Sequence, residues 1–334
     1  MPVKDDGLRV AVIGAGFWGR NHARVISEIE GCRLFAVVDV DFERASAVAK
    51  RYGVARVYKD YRELVAGEKI DLATICTPSV THAPIARDLL ESGIPVLVEK
   101  PMAVNLEEAI GLADTARTSG VPVMVGFIER FNPAVQYVLS ALRDNVIGTP
   151  LTIAARRIGP WPERIGDVGV VKDVAIHDID LTYYFFQETP LHLYASGGAL
   201  RHSYEDYMMA LMSYDGGKSA SLEANWLSSK KKRDMRITGT EGVISIEFLT
   251  GEVLIEKPDY TISPTIKYVE PLKNELTYFV ETVTKGVDPA PGVREGLLSL
   301  ALAELILLSI KTRKSISVQE FIDEWGIGPY LRRD

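Results

Sequence analysis

The chain has 334 residues, 47% of them hydrophobic and 25% charged, with a formal net charge of −7 at pH 7. One hydrophobic core rarely organises that many residues, so two domains are expected, in a composition typical of a globular protein. The acidic balance excludes the broad positive field of a nucleic-acid binder; one basic run, Lys230-Lys231-Lys232-Arg233, reads as a solvated loop or a local seat for an anion such as a diphosphate.

The opening MPVKDDGLRVAVIG places acidic residues before a short apolar run, which is not the pattern of a signal peptide. Cys32 and Cys76 form no CxxC pair and read as buried free thiols, so the expected location is a reducing cytoplasm. Residues 9–13 (RVAVI) form the first expected strand, followed at once by GAGFWG and the helix-like RNHARVISEI. In such a unit Gly14 permits the tight turn, Gly16 lets a pyrophosphate approach the backbone beside Phe17 and Trp18, and Gly19 lets helix and strand pack. The phosphates of a dinucleotide then rest on the helix N-terminus. A second strand, RLFAVVDV, carries Asp39 twenty residues after Gly19. An acid there accepts hydrogen bonds from the adenosine ribose and repels a 2′-phosphate, so the expected cofactor is NAD rather than NADP, with Arg44 nearby to soften the exclusion.

The alternation continues with DFERASAVAKRYG, DLATICTP (71–78), a helix over about 82–92, PVLVEKP (95–101), a helix over 106–118 and VPVMVGF (121–127). Five apolar strands separated by helices predict a parallel, doubly wound sheet. Ligands of such sheets lie at the carboxyl ends of the strands, which places Thr77, Pro78, Glu99, Lys100 and Pro101 on the nicotinamide rim, with His82 following as a cofactor contact or a packing residue. Further strands are expected at 150–158, 191–198, 207–214, 219–227, 234–238, 243–248 and 252–256, separated by turns such as DGG and TGTEG. The apolar run at 296–310 contains Glu304 and falls short of the roughly 20 residues of a membrane span, so it reads as a buried helix and no membrane association is expected.

Between these elements, KDVAIHDIDL (172–181) concentrates three aspartates and a histidine. On an α-helix Asp173, His177 and Asp180 share one face while Asp178 points elsewhere. Asp and His at that spacing could share a metal ion, but no further His or Cys cluster supplies the remaining ligands, and no metal is expected.

AVIGAGFWGRNHAR, CTPSVTHAPIA, VEKP, GFIERFNPAV, KDVAIHDIDL and the closing REGLLSLALAELILLSIKTRKSISV together resemble the Gfo/Idh/MocA family of NAD(P)-dependent sugar oxidoreductases. The resemblance implies an α/β fold: an N-terminal Rossmann domain with a doubly wound parallel sheet (1–127), then a substrate-binding and oligomerisation domain with a large, open, mostly antiparallel sheet (128–334). It also implies a homo-oligomer, dimer or tetramer. The family's catalytic pattern is the Lys of EKP with Asp-x-x-x-His, matched here by Lys100, Asp173 and His177.

Oxidising a secondary alcohol requires a base for the hydroxyl proton while hydride leaves carbon, and an imidazole with a pKa of about 6.5 suits that task near neutral pH. His177 is therefore the expected base, Asp173 its orienting partner or a substrate ligand, and Lys100 the donor to the reacting oxygen, although a lysine of lowered pKa could itself take the proton. GFIERFNPAV and RRIGPWPERIGDVGVVKD resemble the branch of the family that oxidises UDP-N-acetylglucosamine at C3. Arg130, Arg156, Arg157 and Arg164 are the expected diphosphate ligands, Trp161 a stacking surface and Asp180 a substrate contact or an anchor of the helix; Arg156 and Arg157, adjacent on a strand, must face opposite sides, so at least one of them is expected in solvent. The alternatives are a dehydrogenase of a free polyol or sugar such as inositol or glucose, and a non-catalytic NAD- or sugar-binding regulator.

Overall fold

The computed structural model describes residues 7–162, 167–201 and 203–332. Two compact units divide the chain: Met1–Gly126 with Leu272–Leu297, and Phe127–Pro271 with Leu298–Asp334. A single crossing at 127/128 therefore omits the return of Leu272–Leu297 to the first unit, which no local sequence signal announces.

The first unit holds strands β1 (Leu8–Ile13), β2 (Cys32–Val38), β3 (Arg56–Tyr58), β4 (Leu72–Ile75), β5 (Val96–Glu99) and β6 (Val123–Gly126). They form one sheet in the order β3-β2-β1-β4-β5-β6, every pairing parallel. β4, β5 and β6 are buried throughout, as strands covered on both faces must be. The crossovers include helices α1 (Phe17–Glu28), α2 (Phe42–Arg51), α3 (Tyr61–Gly67), α4 (His82–Glu91) and α5 (Leu106–Ser119). α5 shows how locally such helices are specified: the Asn105 side chain accepts the Glu108 N–H at 2.9 Å, and Gly120 ends the helix at φ 64°. The sequence reading missed β3, a three-residue, partly exposed edge strand too short for any periodic signal.

The second unit is built on strands β7 (Pro150–Ile158), β8 (His192–Gly198), β9 (Tyr207–Ser213), β10 (Ser219–Asn225), β11 (Lys232–Gly239), β12 (Val243–Glu247), β13 (Glu252–Glu256), β14 (Thr261–Ile262) and β15 (Ile316–Ser317). Their order is β14-β13-β12-β11-β7-β10-β9-β8-β15, antiparallel except where β7 runs parallel to β10. Alternation along these strands is regular: Ile153, Ala155 and Arg157 of β7 are buried on the inner face, while Thr152 and Ala154 lie on the outer one. Helix α6 (Pro133–Arg143) packs against the inner face over β12 and β13, and α7 (Ile176–Phe186) over β7 and β10. The chain continues through α8 (Pro271–Thr284), α9 (Val293–Thr312), α10 (Val318–Glu324) and α11 (Gly328–Leu331). The expected apolar helix is the middle of α9, where Leu300, Ala301, Ala303, Leu305 and Ile306 are buried, and no described helix is long and apolar enough to cross a membrane.

Candidate active site

Three different constraints shape the glycine turn between β1 and α1. Gly14 adopts φ +93°, and a Cβ there would stand 2.7 Å from the Cys76 backbone, so only glycine fits. At Gly19 a Cβ would lie 1.7 Å from the Gly14 carbonyl oxygen, so its absence lets α1 close onto the turn. Gly16 is different: nothing lies within 4 Å of its missing Cβ. Packing does not demand glycine there, whereas an open backbone at the N-cap of a 12-residue helix is what an approaching pyrophosphate requires.

Asp39, just beyond β2, accepts the Ala15 N–H at 2.7 Å on one carboxylate oxygen and the Asp41 N–H at 2.9 Å on the other. It ties the turn to the strand end, and each oxygen keeps a lone pair for a ribose hydroxyl. Arg44 Nη1 stands 3.6 Å from the same group. Phe17 is 55% exposed and meets Trp18 edge-on, with ring centroids 5.7 Å apart. The residues therefore fit NAD.

His82 is buried, with Nδ1 2.7 Å from the Pro101 carbonyl and Nε2 2.8 Å from that of Thr77. Both ring nitrogens are occupied in joining the turn after β4, which holds Thr77 and Pro78, to the loop after β5. His82 therefore takes the packing role, positioning that loop. Glu99 likewise turns inward: Oε1 lies 3.1 Å from His22 Nε2, and Oε2 accepts the Lys100 N–H at 3.3 Å. Of the EKP residues, Lys100 is half-buried while Glu99 and Pro101 are buried. Both cysteines are free and half-buried.

Sequence reasoning gave no warning of Glu275 on α8, a fully buried acid whose two oxygens have no hydrogen-bond partner among the described residues. Burial, then the nearby Glu99 carboxylate, push its pKa well above the ordinary range, favouring the neutral acid. A folded-state pKa above the unfolded value contributes stability that is fully present below about pH 4.3, the unfolded pKa, and is lost as pH rises through the folded pKa. Glu275→Gln removes that titration, so its melting temperature relative to wild type should climb as pH rises above about 4.3 toward the folded-state pKa. A gap that stays constant with pH in paired thermal melts would refute the assignment.

In the second unit, α7 is entered through a π-helical turn, Val171–Ala175. Its wider i→i+5 bonding breaks the i, i+4, i+7 register assumed for a plain α-helix. Asp173 and His177 remain half-buried, open in part to solvent, whereas Asp178 and Asp180 are only 2% and 1% exposed. Asp180 takes Arg130 in a two-pronged pair, with both N–O distances 2.7 Å, which is the helix-anchoring role. Asp178 takes Arg157 through Nε and, at 2.9 Å, Nη2, while Arg157 Nη1 donates to Glu129 at 2.7 Å. Arg130 and Arg157, expected as diphosphate ligands, instead fasten the helix and the Ile128–Phe131 turn to the sheet. Arg156, also expected there, lies on the outer face and pairs with Asp234 at 3.2 Å, because strand alternation sends it away from α7. Trp161 stands edge-on to Trp226 at 5.9 Å with Arg201 over its ring at 6.0 Å, and Arg164 lies outside the described residues. Glu129 had no distinguishing signal in the sequence beyond its place beside Arg130. Among the described residues, no group of three or more His, Cys, Asp or Glu side chains is placed to hold a metal ion.

A turn of this shape receives a dinucleotide, as in an NAD-dependent dehydrogenase acting on CH–OH groups. Residues 8–127 match the family model described as the oxidoreductase family with NAD-binding Rossmann fold, and residues 135–245 match the GFO/IDH/MocA C-terminal domain. The UDP-N-acetylglucosamine 3-dehydrogenase of Acidithiobacillus ferrooxidans is 33% identical over 74% of this chain and 76% of its own. A solved structure of that enzyme superposes with a TM-score of 0.84 at 29% identity, covering 92% of this chain and 98% of the other. The inositol 2-dehydrogenase of Rhizobium meliloti (strain 1021) is 27% identical over 93% of this chain and 99% of its own. The chain belongs to the GFO/IDH/MocA family of oxidoreductases.

Proposed function

We propose that this sugar or polyol oxidoreductase oxidises a secondary alcohol of a nucleotide sugar, at C3 of UDP-N-acetylglucosamine, to the ketone. The 33% identity to a 3-dehydrogenase of that substrate carries the reading. Bound NAD supplies the hydride acceptor. His177 takes the hydroxyl proton, Asp173 orients the imidazole or the sugar, and the Lys100 ammonium donates to the reacting oxygen and stabilises its developing negative charge. The outer sheet face, where Tyr194, Met209 and Leu211 are 46%, 62% and 55% exposed, supports a homo-oligomer.

Oxidation of a free polyol is the second reading, favoured by the inositol 2-dehydrogenase match, which spans 93% of the chain at 27% identity. Following NADH absorbance with UDP-N-acetylglucosamine, myo-inositol and glucose, each with and without 2-oxoglutarate, separates the two. The nucleotide sugar should give the highest kcat/KM. Turnover confined to the free polyols would overturn the first reading in favour of the second.

A further inference from the structure

The basic run at 230–233 does not behave as one surface patch. Lys230, Lys231 and Lys232 are exposed, whereas Arg233 is half-buried and, alternating with Met235 and Ile237, belongs to the inner face of β11. The antiparallel register sets Arg233 directly opposite Arg157 of β7. Like charges directly opposed across two strands are destabilising unless something neutralises them. Arg157 is neutralised, since Glu129 and Asp178 both lie within 2.9 Å of it. For Arg233, no carboxylate among the described residues completes an ion pair. Burial and then Arg157 weaken its hold on its proton, while Glu129, Asp178 and Asp173 act on it from a distance in the opposite sense. A partly desolvated guanidinium therefore remains available on the face that carries α7, within the electrostatic reach of Asp173 in the same unit.

We propose that Arg233 binds the diphosphate of a nucleotide-sugar substrate and so makes the site selective for a charged sugar over a neutral polyol. The inference rests on the nucleotide-sugar reading above and assigns the phosphate grip to a residue other than the arginines expected for it. A guanidinium presents a planar fork of N–H donors matched to two phosphate oxygens, and an arriving dianion also relieves the Arg157–Arg233 repulsion.

The test is calorimetric titration of UDP and of inorganic pyrophosphate into the full-length, NAD-loaded protein as wild type, Arg233→Gln, Arg233→Lys and, as a control, Arg236→Gln. Arg236 is exposed on the outer face of the same strand. Losing a charge-assisted pair should weaken both ligands about 10- to 100-fold in Arg233→Gln. Arg233→Lys, which keeps the charge without the fork, should fall between that variant and wild type, and Arg236→Gln should match wild type. Thermal melts should show Arg233→Gln folded and no less stable than wild type, because it removes one of two opposed cations. Wild-type affinity in Arg233→Gln would overturn the assignment of Arg233 while leaving the nucleotide-sugar reading standing. A wild-type protein that ignores UDP and oxidises only free polyols would overturn that reading, and the diphosphate grip with it.

Discussion

Replacing His177 with Ala should lower kcat by about 10²- to 10⁴-fold, the usual effect of a positioned general base, while leaving NAD affinity unchanged. Lys100→Met should cost about 10²- to 10³-fold in kcat through loss of a donor to the developing alkoxide. Both substitutions fall on half-buried side chains, so the variants should melt near the wild-type temperature. The separation of effects matters because Gly14, Gly16 and Asp39 shape the dinucleotide turn without either residue. Pre-steady-state NADH formation and NAD titration by fluorescence would measure the two halves independently. Undiminished turnover in both variants would refute the proposed chemistry and leave a binding protein built on a dehydrogenase fold.

Arg157→Met should destabilise the protein by about 3–5 kcal/mol, since it leaves the Asp178 and Glu129 carboxylates in the interior without their counter-charge. That corresponds to a fall in melting temperature on the order of 10 °C. Adding Asp178→Asn and Glu129→Gln to the same chain should recover part of the loss, because the penalty comes from uncompensated charge rather than from the missing side chain. By contrast, Arg156→Ala next door should change stability by about 0–1 kcal/mol: its pair with Asp234 is about one-third exposed and solvent already screens it. Equal, small effects at both positions in denaturant melts would show that the inner pair does not hold α7 to the sheet, and would reopen Arg157 as a ligand residue.

The first unit was largely legible because its signals are local. A buried strand, a glycine turn, a helix and an acid at the next strand end follow one another within 32 residues of chain, from Leu8 to Asp39. What escaped there was β3, too short to show a period, and the return of Leu272–Leu297, which depends on packing partners more than 140 residues away. In the second unit the strand pattern could be read from alternation, but the arginines could not be sorted. Arg130, Arg156 and Arg157 are chemically alike in sequence; one is pinned by Asp180, one turns to the outer face, and one is locked between Asp178 and Glu129. Helical spacing alone also could not place Asp173 relative to the residues of α7, because the π turn at Val171–Ala175 lies between them.

By itself, then, the sequence determined the cofactor fold and the dinucleotide turn, which backbone conformation and short-range spacing dictate, while the resemblance to the family singled out Lys100, Asp173 and His177 as candidates. Only the tertiary structure decided which charged side chains have partners. Whether a guanidinium is spent on the fold or left for a ligand depends on carboxylates brought from distant segments, as Glu129 and Asp178 are for Arg157 and as none is for Arg233 among the described residues. Coulombic pairing in a desolvated interior acts over a few ångströms of space and takes no account of separation along the chain.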